Sequence, residues 1–137
     1  MQSLFPEMFV QDVNKISMLG LAHVGDAVYE LLYRSRLCVE GHTNVTEMHR
    51  LTVSFVNAPA QAEAAKKIIP ILTEEESSVY KRGRNTKVNS VPHHSDISQY
   101  HAATGLEALF GWLYLQGKTK RIKELFDIIA EDIADAT

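Results

Sequence analysis

The stretch Leu21-Ala22-His23-Val24-Gly25-Asp26-Ala27-Val28-Tyr29-Glu30-Leu31 decides the fold class. Val24, Val28, Leu31 and Leu32 recur at three- and four-residue intervals, and Gly41 follows as a stop signal. That is the helical period, so a helix is predicted over Leu21 to Val39 with those four residues as its apolar face. Gly25 is out of place there, because glycine inside a helix costs about 1 kcal/mol relative to alanine. Beside Asp26 it points to close approach by another backbone or a ligand, with Asp26 carried into a tight helix contact. Taken alone, Asp26 reads as a solvated surface carboxylate.

The same period extends through the chain. A second helix is predicted from about Val45 to Val56, with Met48, Leu51 and Phe55 on one face, and a third from Ala58 to Ile69, with Pro59 in its first turn and Pro70 beyond its end. Thr73 and Glu76 form a capping-box pattern that starts a fourth helix running towards Arg82. Gly83 is expected to loosen it, and Arg84 to Ser95, containing Asn85, Ser90 and Pro92, reads as a loop. Asp96 and Gln99 can cap a fifth helix, whose buried stripe is Tyr100, Leu106, Leu109, Phe110 and Leu113 up to Gly117. Thr119 is expected to cap the sixth, with Ile122, Leu125, Phe126, Ile129 and Ile133 on its apolar side. No strand-like alternation competes, so the class is all-α, and 137 residues fit one domain spanning 1–137.

Composition narrows the function. A hydrophobic fraction of 45% with 23% charged residues belongs to an ordinary soluble globular protein rather than a disordered one. The single cysteine, Cys38, excludes an internal disulfide and a Cys-rich zinc site, and suits a reducing compartment such as the cytoplasm. Met1 to Val10 does not read as a secretory signal, and no apolar run approaches the ~20 residues of a membrane span. A net charge of −3 argues against a general polyanion binder. The mean conceals a patch, however: Lys81, Arg82, Arg84 and Lys87 cluster, while Glu124, Asp127, Glu131, Asp132 and Asp135 load the last segment with acid.

The second chemically informative stretch is Ser98-Gln99-Tyr100-His101-Ala102-Ala103-Thr104-Gly105-Leu106-Glu107-Ala108-Leu109-Phe110-Gly111. Glu107 lies between Leu106 and Ala108 with glycines on either side, a poor place for a merely solvating charge. If the two small-residue patches face each other, Asp26 and Glu107 enter one cleft. Two carboxylates so placed repel unless a cation lies between them, and hard oxygen ligands with open positions suit Mg²⁺.

Val24 to Leu31 resembles the signature helix of ribonuclease III, and Leu106 to Gly111 resembles its second acidic helix. The chain as a whole is more similar to Mini-ribonuclease III, the short form without a double-stranded-RNA-binding domain. Tyr80-Lys81-Arg82-Gly83-Arg84-Asn85 and Ser54-Phe55-Val56-Asn57-Ala58-Pro59-Ala60-Gln61-Ala62 have counterparts there, so the likeness covers about Leu19 to Leu125. The resemblance implies a helical homodimer that needs Mg²⁺, hydrolyses double-stranded RNA to 5′-phosphate and 3′-hydroxyl ends, and matures the 23S ribosomal RNA precursor. Asp26 and Glu107 inherit the metal-binding and catalytic roles. Ala22 and Thr104 stand where longer ribonuclease III proteins carry two further acids, which puts a tightly held second metal in question. His23 stands where they carry an aromatic residue that inserts into the dimer partner; a packed core histidine is the other reading.

The cluster Lys81, Arg82, Arg84, Asn85 and Lys87 is then the expected RNA grip, because A-form RNA is read mostly by shape and backbone. Its bland alternative is a solvated helix end. His49 and Arg50 are weaker candidates for that surface. DNA is not an expected partner. No motif supports zinc at His93, His94 and His101. Glu30 reads as structural, and Thr104 either orients a water or simply packs. Of Phe110, Trp112 and Tyr114, which span opposite helix sides, at least one should meet the dimer partner or another helix. The competing function is a non-catalytic helical RNA-binding or ribosome-associated protein, for which Ala22 and Thr104 are the argument.

Overall fold

The computed structural model describes residues 7–86 and 96–135, with side chains described up to Glu131 in the last helix. Lys87, Ser90, Pro92, His93 and His94, together with the side chain of Ile133, lie outside the described residues. Among those described, the regular elements are all helical: α1 (Val10–Val13), α2 (Met18–Val39), α3 (Val45–Phe55), α4 (Ala58–Ile68), α5 (Glu74–Arg84), α6 (Ile97–Leu115) and α7 (Thr119–Asp135), with a 3₁₀ turn at Ile69–Ile71. None is long and apolar enough to cross a membrane.

Each boundary has a local cause. Ser17 Oγ accepts from Gly20 N–H at 3.0 Å and starts α2 earlier than its apolar pattern does. Asn44 and Asn57 cap α3 and α4 in the same way, each at 2.9 Å. Both bonds of the Thr73–Glu76 capping box are present. Asp96 caps α6 as expected, although its carboxylate is met by Ser98 rather than by Gln99's side chain. The expected Thr119 cap is displaced by one residue: Thr119 is the first residue of α7, and Lys118 carbonyl accepts the Ile122 N–H. Gly41 and Gly117 end α2 and α6 at φ +94° and +72°, a left-handed conformation that glycine adopts without a Cβ penalty.

Helix α6 is the axle. It packs most extensively on α2, then on α5 and α4, and more lightly on α7. Its stretch Ala103 to Leu113 is buried at every position except the half-buried Glu107. Tyr29, Tyr33, Phe110 and Phe126 meet edge to face below it, and Phe55 stacks on Tyr33 at 4.8 Å between centroids. Phe110 and Trp112 are thus spent inside the chain, where Trp112 Nε1 donates to Asn14 Oδ1 at 2.8 Å and ties α1 to α6.

Two further expectations are corrected. Leu31 is 58% exposed rather than part of the buried face of α2, which is formed by Leu21, Ala22, Gly25, Val28, Tyr29, Tyr33 and Leu37. Gly83 does not loosen α5, which continues to Arg84, so Arg84 is helical rather than the start of a loop. A Cβ on Gly83 would lie 3.0 Å from Gly105 Cα and 2.9 Å from Ala108 Cβ, so its smallness serves the α5–α6 contact.

Candidate active site

Where α2 crosses α6 the helices touch through main chain. A Cβ built on Gly25 falls well inside contact distance of the Glu107 carbonyl oxygen and 2.8 Å from Gly111 N; one built on Gly111 would overlap the Leu21 carbonyl. The crossing therefore requires hydrogen at both positions, and it brings together the helix turns that bear Asp26 and Glu107. Both line one open cleft of about 460 Å³ with Ala22, His23, Gln61 and Thr104.

The electrostatics follow from that geometry. Burial, and then the adjacent Asp26 carboxylate, push the Glu107 carboxyl up to about 8; the Gln61 amide acts in the opposite direction. Gln61 Nε2 donates to Glu107 Oε2 at 3.4 Å from α4, a helix rooted by its Asn57 cap and by Pro59. Two carboxylates crowded until one holds its proton form a site short of positive charge. Oxygen donors, an open face and excess negative charge fit a hard divalent cation such as Mg²⁺, with Asp26 and Glu107 as the residues that would hold it. Among the described residues no set of three or more His, Cys, Asp or Glu side chains is grouped to hold a metal, so the pair stands without a third such ligand. Ala22 and Thr104 fall in the same cleft, and Thr104 Oγ1 donates to the Tyr100 carbonyl at 3.1 Å. His101 lies elsewhere, with a buried Nδ1 that has no hydrogen-bond partner. Glu30 is ion-paired with Arg34, away from the cleft.

Gln61 carries no motif that would single it out in the sequence. It sits among the small buried residues Ala62, Ala64 and Ala65, only 3% exposed, and a lone carboxamide on an otherwise alanine face is the available signal.

The basic residues occupy the end of α5. Lys81 and Arg82 are exposed; Arg84 is half-buried, its guanidinium 5.8 Å over the Tyr80 ring and its Nε 3.4 Å from Asn85 Oδ1. Elsewhere Lys15, Arg34, Arg36, Arg50, Lys66, Arg121 and Lys123 are each matched to a carboxylate. Lys81 and Arg82 have no such partner among the described residues, and neither do Lys118 and Lys120 at the start of α7. Arg50 is neutralised by Glu47, which weakens it as a phosphate contact.

The relatives point the same way. Residues 19–118 match the family model of the ribonuclease III domain. A Mini-ribonuclease 3 from a Thermoanaerobacter species is 40% identical over 125 residues, spanning 91% of this chain and 88% of that protein. One from Symbiobacterium thermophilum is 43% identical over 115 residues, spanning 84% and 88%. A crystal structure of a Fusobacterium nucleatum protein superimposes with a TM-score of 0.80 at 34% identity, covering 88% of this chain and 93% of that one. With the family model covering most of its length and relatives this similar over most of theirs, the chain belongs to the ribonuclease III family and, within it, to the Mini-ribonuclease 3 proteins.

Proposed function

We propose that this chain is a single-domain, Mg²⁺-dependent endoribonuclease that cuts double-stranded RNA as a homodimer in the cytoplasm, acting in maturation of the 23S ribosomal RNA precursor. The observation that carries the reading is the Asp26–Glu107 pair in an open cleft, with burial and mutual repulsion holding Glu107 protonated in the absence of a cation. Asp26 and Glu107 would hold Mg²⁺, which when bound would supply Lewis-acid activation of the scissile phosphate and of water. Asp26 and Glu107 contribute the charge and the oxygen donors, on helices whose main-chain contact fixes their spacing. Lys81, Arg82, Arg84, Asn85 and Lys87 engage the RNA backbone. Lys81 and Arg82, adjacent at the end of α5 and without a carboxylate partner among the described residues, support this on a chain of net charge −3, since phosphate neutralisation needs cations not already spent on carboxylates.

The surface of α2 supports pairing. Leu19, His23, Ala27 and Leu31 are spaced by four and all exposed, Leu31 at 58% and Leu19 at 42%. A mostly apolar stripe that the chain's own core does not use, with Leu19 and His23 also at the cleft, suits a two-fold contact, which sets one cleft against each strand of a duplex.

The direct test is incubation with duplex RNA and Mg²⁺. Wild-type cleavage with loss of turnover but retained RNA binding in Asp26→Asn is the expected result. RNA binding without Mg²⁺-dependent cleavage by the wild type would favour a non-catalytic protein, the reading to which Ala22 and Thr104 lend support.

A further inference from the structure

Burying a carboxamide is costly unless its polar atoms are used. Gln61 is 3% exposed, yet the one side-chain hydrogen bond it makes among the described residues runs to Glu107 Oε2. We propose that Gln61 is the positioning residue of this site, holding the Glu107 carboxylate beside Asp26 so that both oxygen donors meet a divalent cation at once. The inference rests on the metal-site reading above and adds to it a residue that acts through Glu107.

The residue type matters as much as the place. A lysine or arginine at this point would pair with Glu107 and compete with an incoming cation. A neutral amide N–H orients the carboxylate and leaves its charge available. The support is rigid: α4 is capped by Asn57, stiffened by Pro59, and packed along Ala62, Ala64, Ala65 and Ile68. Partners that orient metal ligands typically contribute about 10–100-fold to metal affinity.

The experiment measures Mn²⁺ binding to RNA-free protein by electron paramagnetic resonance, alongside duplex-RNA affinity without divalent metal and cleavage across a Mg²⁺ titration. Gln61→Met, which keeps the shape and removes the donor, is expected to weaken Mn²⁺ binding about 10–100-fold. RNA affinity should be unchanged, and most of kcat should return at high Mg²⁺. Gln61→Lys should fold, bind RNA at least as well, and lose Mn²⁺ binding more completely. Wild-type Mn²⁺ affinity in either folded variant overturns the proposal. Asp26→Asn separates the two levels: if it loses Mn²⁺ while Gln61→Met does not, only the role of Gln61 falls. If Asp26→Asn itself binds Mn²⁺ like wild type, the metal-site reading falls and this inference with it.

Discussion

Replacing Gly25 by alanine tests whether the α2–α6 crossing sets the spacing of the Asp26 and Glu107 carboxylates. In a free helix the change would stabilise by about 1 kcal/mol. Here the new methyl group meets the Glu107 carbonyl and the Gly111 amide, both main chain and unable to rotate aside. Ordinary contact begins near 3.4 Å, so the methyl must retreat by roughly 0.6 Å from Gly111 N and much further from the Glu107 oxygen. Overpacking typically costs about 1–3 kcal/mol, and a clash between two backbones belongs at the upper end. The net loss is therefore about 2 kcal/mol, or roughly 5–10 °C in Tm for a chain of this size. Activity should suffer more than stability, since helix separation moves Asp26 away from Glu107 and a misplacement of about 1 Å can cost about 100-fold in rate. Thermal unfolding and single-turnover cleavage, measured well below the lowered Tm, check both quantities. A Gly25→Ala protein with wild-type Tm and wild-type turnover would refute the reasoning. A loss of Tm with full turnover would show that the crossing holds the fold but not the site.

The raised Glu107 carboxyl fixes a pH dependence. Its folded-state value of about 8 lies above the ordinary glutamate value, so the metal-free fold retains a proton that the unfolded chain releases. The stability of metal-free protein should then decline as pH rises from about 4.3 towards 8, and Glu107→Gln should remove that part of the decline in urea titrations. Glu76 is the opposite case. Burial acts to raise its carboxyl, but the bidentate Arg121 guanidinium and the Thr73 backbone hold it below the usual range, so its contribution is present at neutral pH and lost under acid. Arg121→Gln should cost about 2–3 kcal/mol at pH 7, reduced from the fully buried figure because Arg121 is partly exposed, with the deficit shrinking as Glu76 is protonated; an unchanged denaturation midpoint would contradict it. Joint replacement of Lys81 and Arg82 by alanine should weaken duplex binding and reduce the slope of log affinity against log salt by up to about 2, without lowering cleavage at saturating RNA. Leu31→Asp should shift the sedimentation profile to monomer while leaving the helical spectrum intact.

The helical class and the carboxylate pair are legible in the amino-acid sequence, and the residues that are not show where local pattern stops short. Glu107 stands out because its neighbours Leu106 and Ala108 are apolar, and both are fully buried. Gly25 is readable as a contact because a mid-helix glycine needs a reason. Gly83 looks equally out of place yet reads as a weak point: sequence does not say whether a missing Cβ admits motion or a neighbouring helix. Leu31 misleads because its spacing from Val24 and Val28 fits the helical period, yet it faces outward with His23 and Ala27. Periodicity identifies an apolar stripe without saying which protein covers it. Helix α1, four residues long, is too short for a period to register, and its place is fixed by distant contacts such as Asn14 with Trp112. Gln61 is hidden because an amide on a helix normally faces water, and only the arrival of α6 beside α4 gives it a partner.

The main-chain contact of Gly25 with Gly111 separates the alignment of Asp26 and Glu107 from the packing of α7. The spacing of the two carboxylates depends on hydrogen atoms and peptide groups at one crossing, not on the bulk of the interior. Leu125, Phe126, Ile129 and Ala130 of α7 are buried, but none lines the cleft. An engineer seeking a higher working temperature would therefore work on α7 and leave the aromatic floor alone, because Tyr29 and Phe110 sit on the helices that carry Asp26 and Glu107. The seam itself offers no such latitude, because the smallest side chain already exceeds the space.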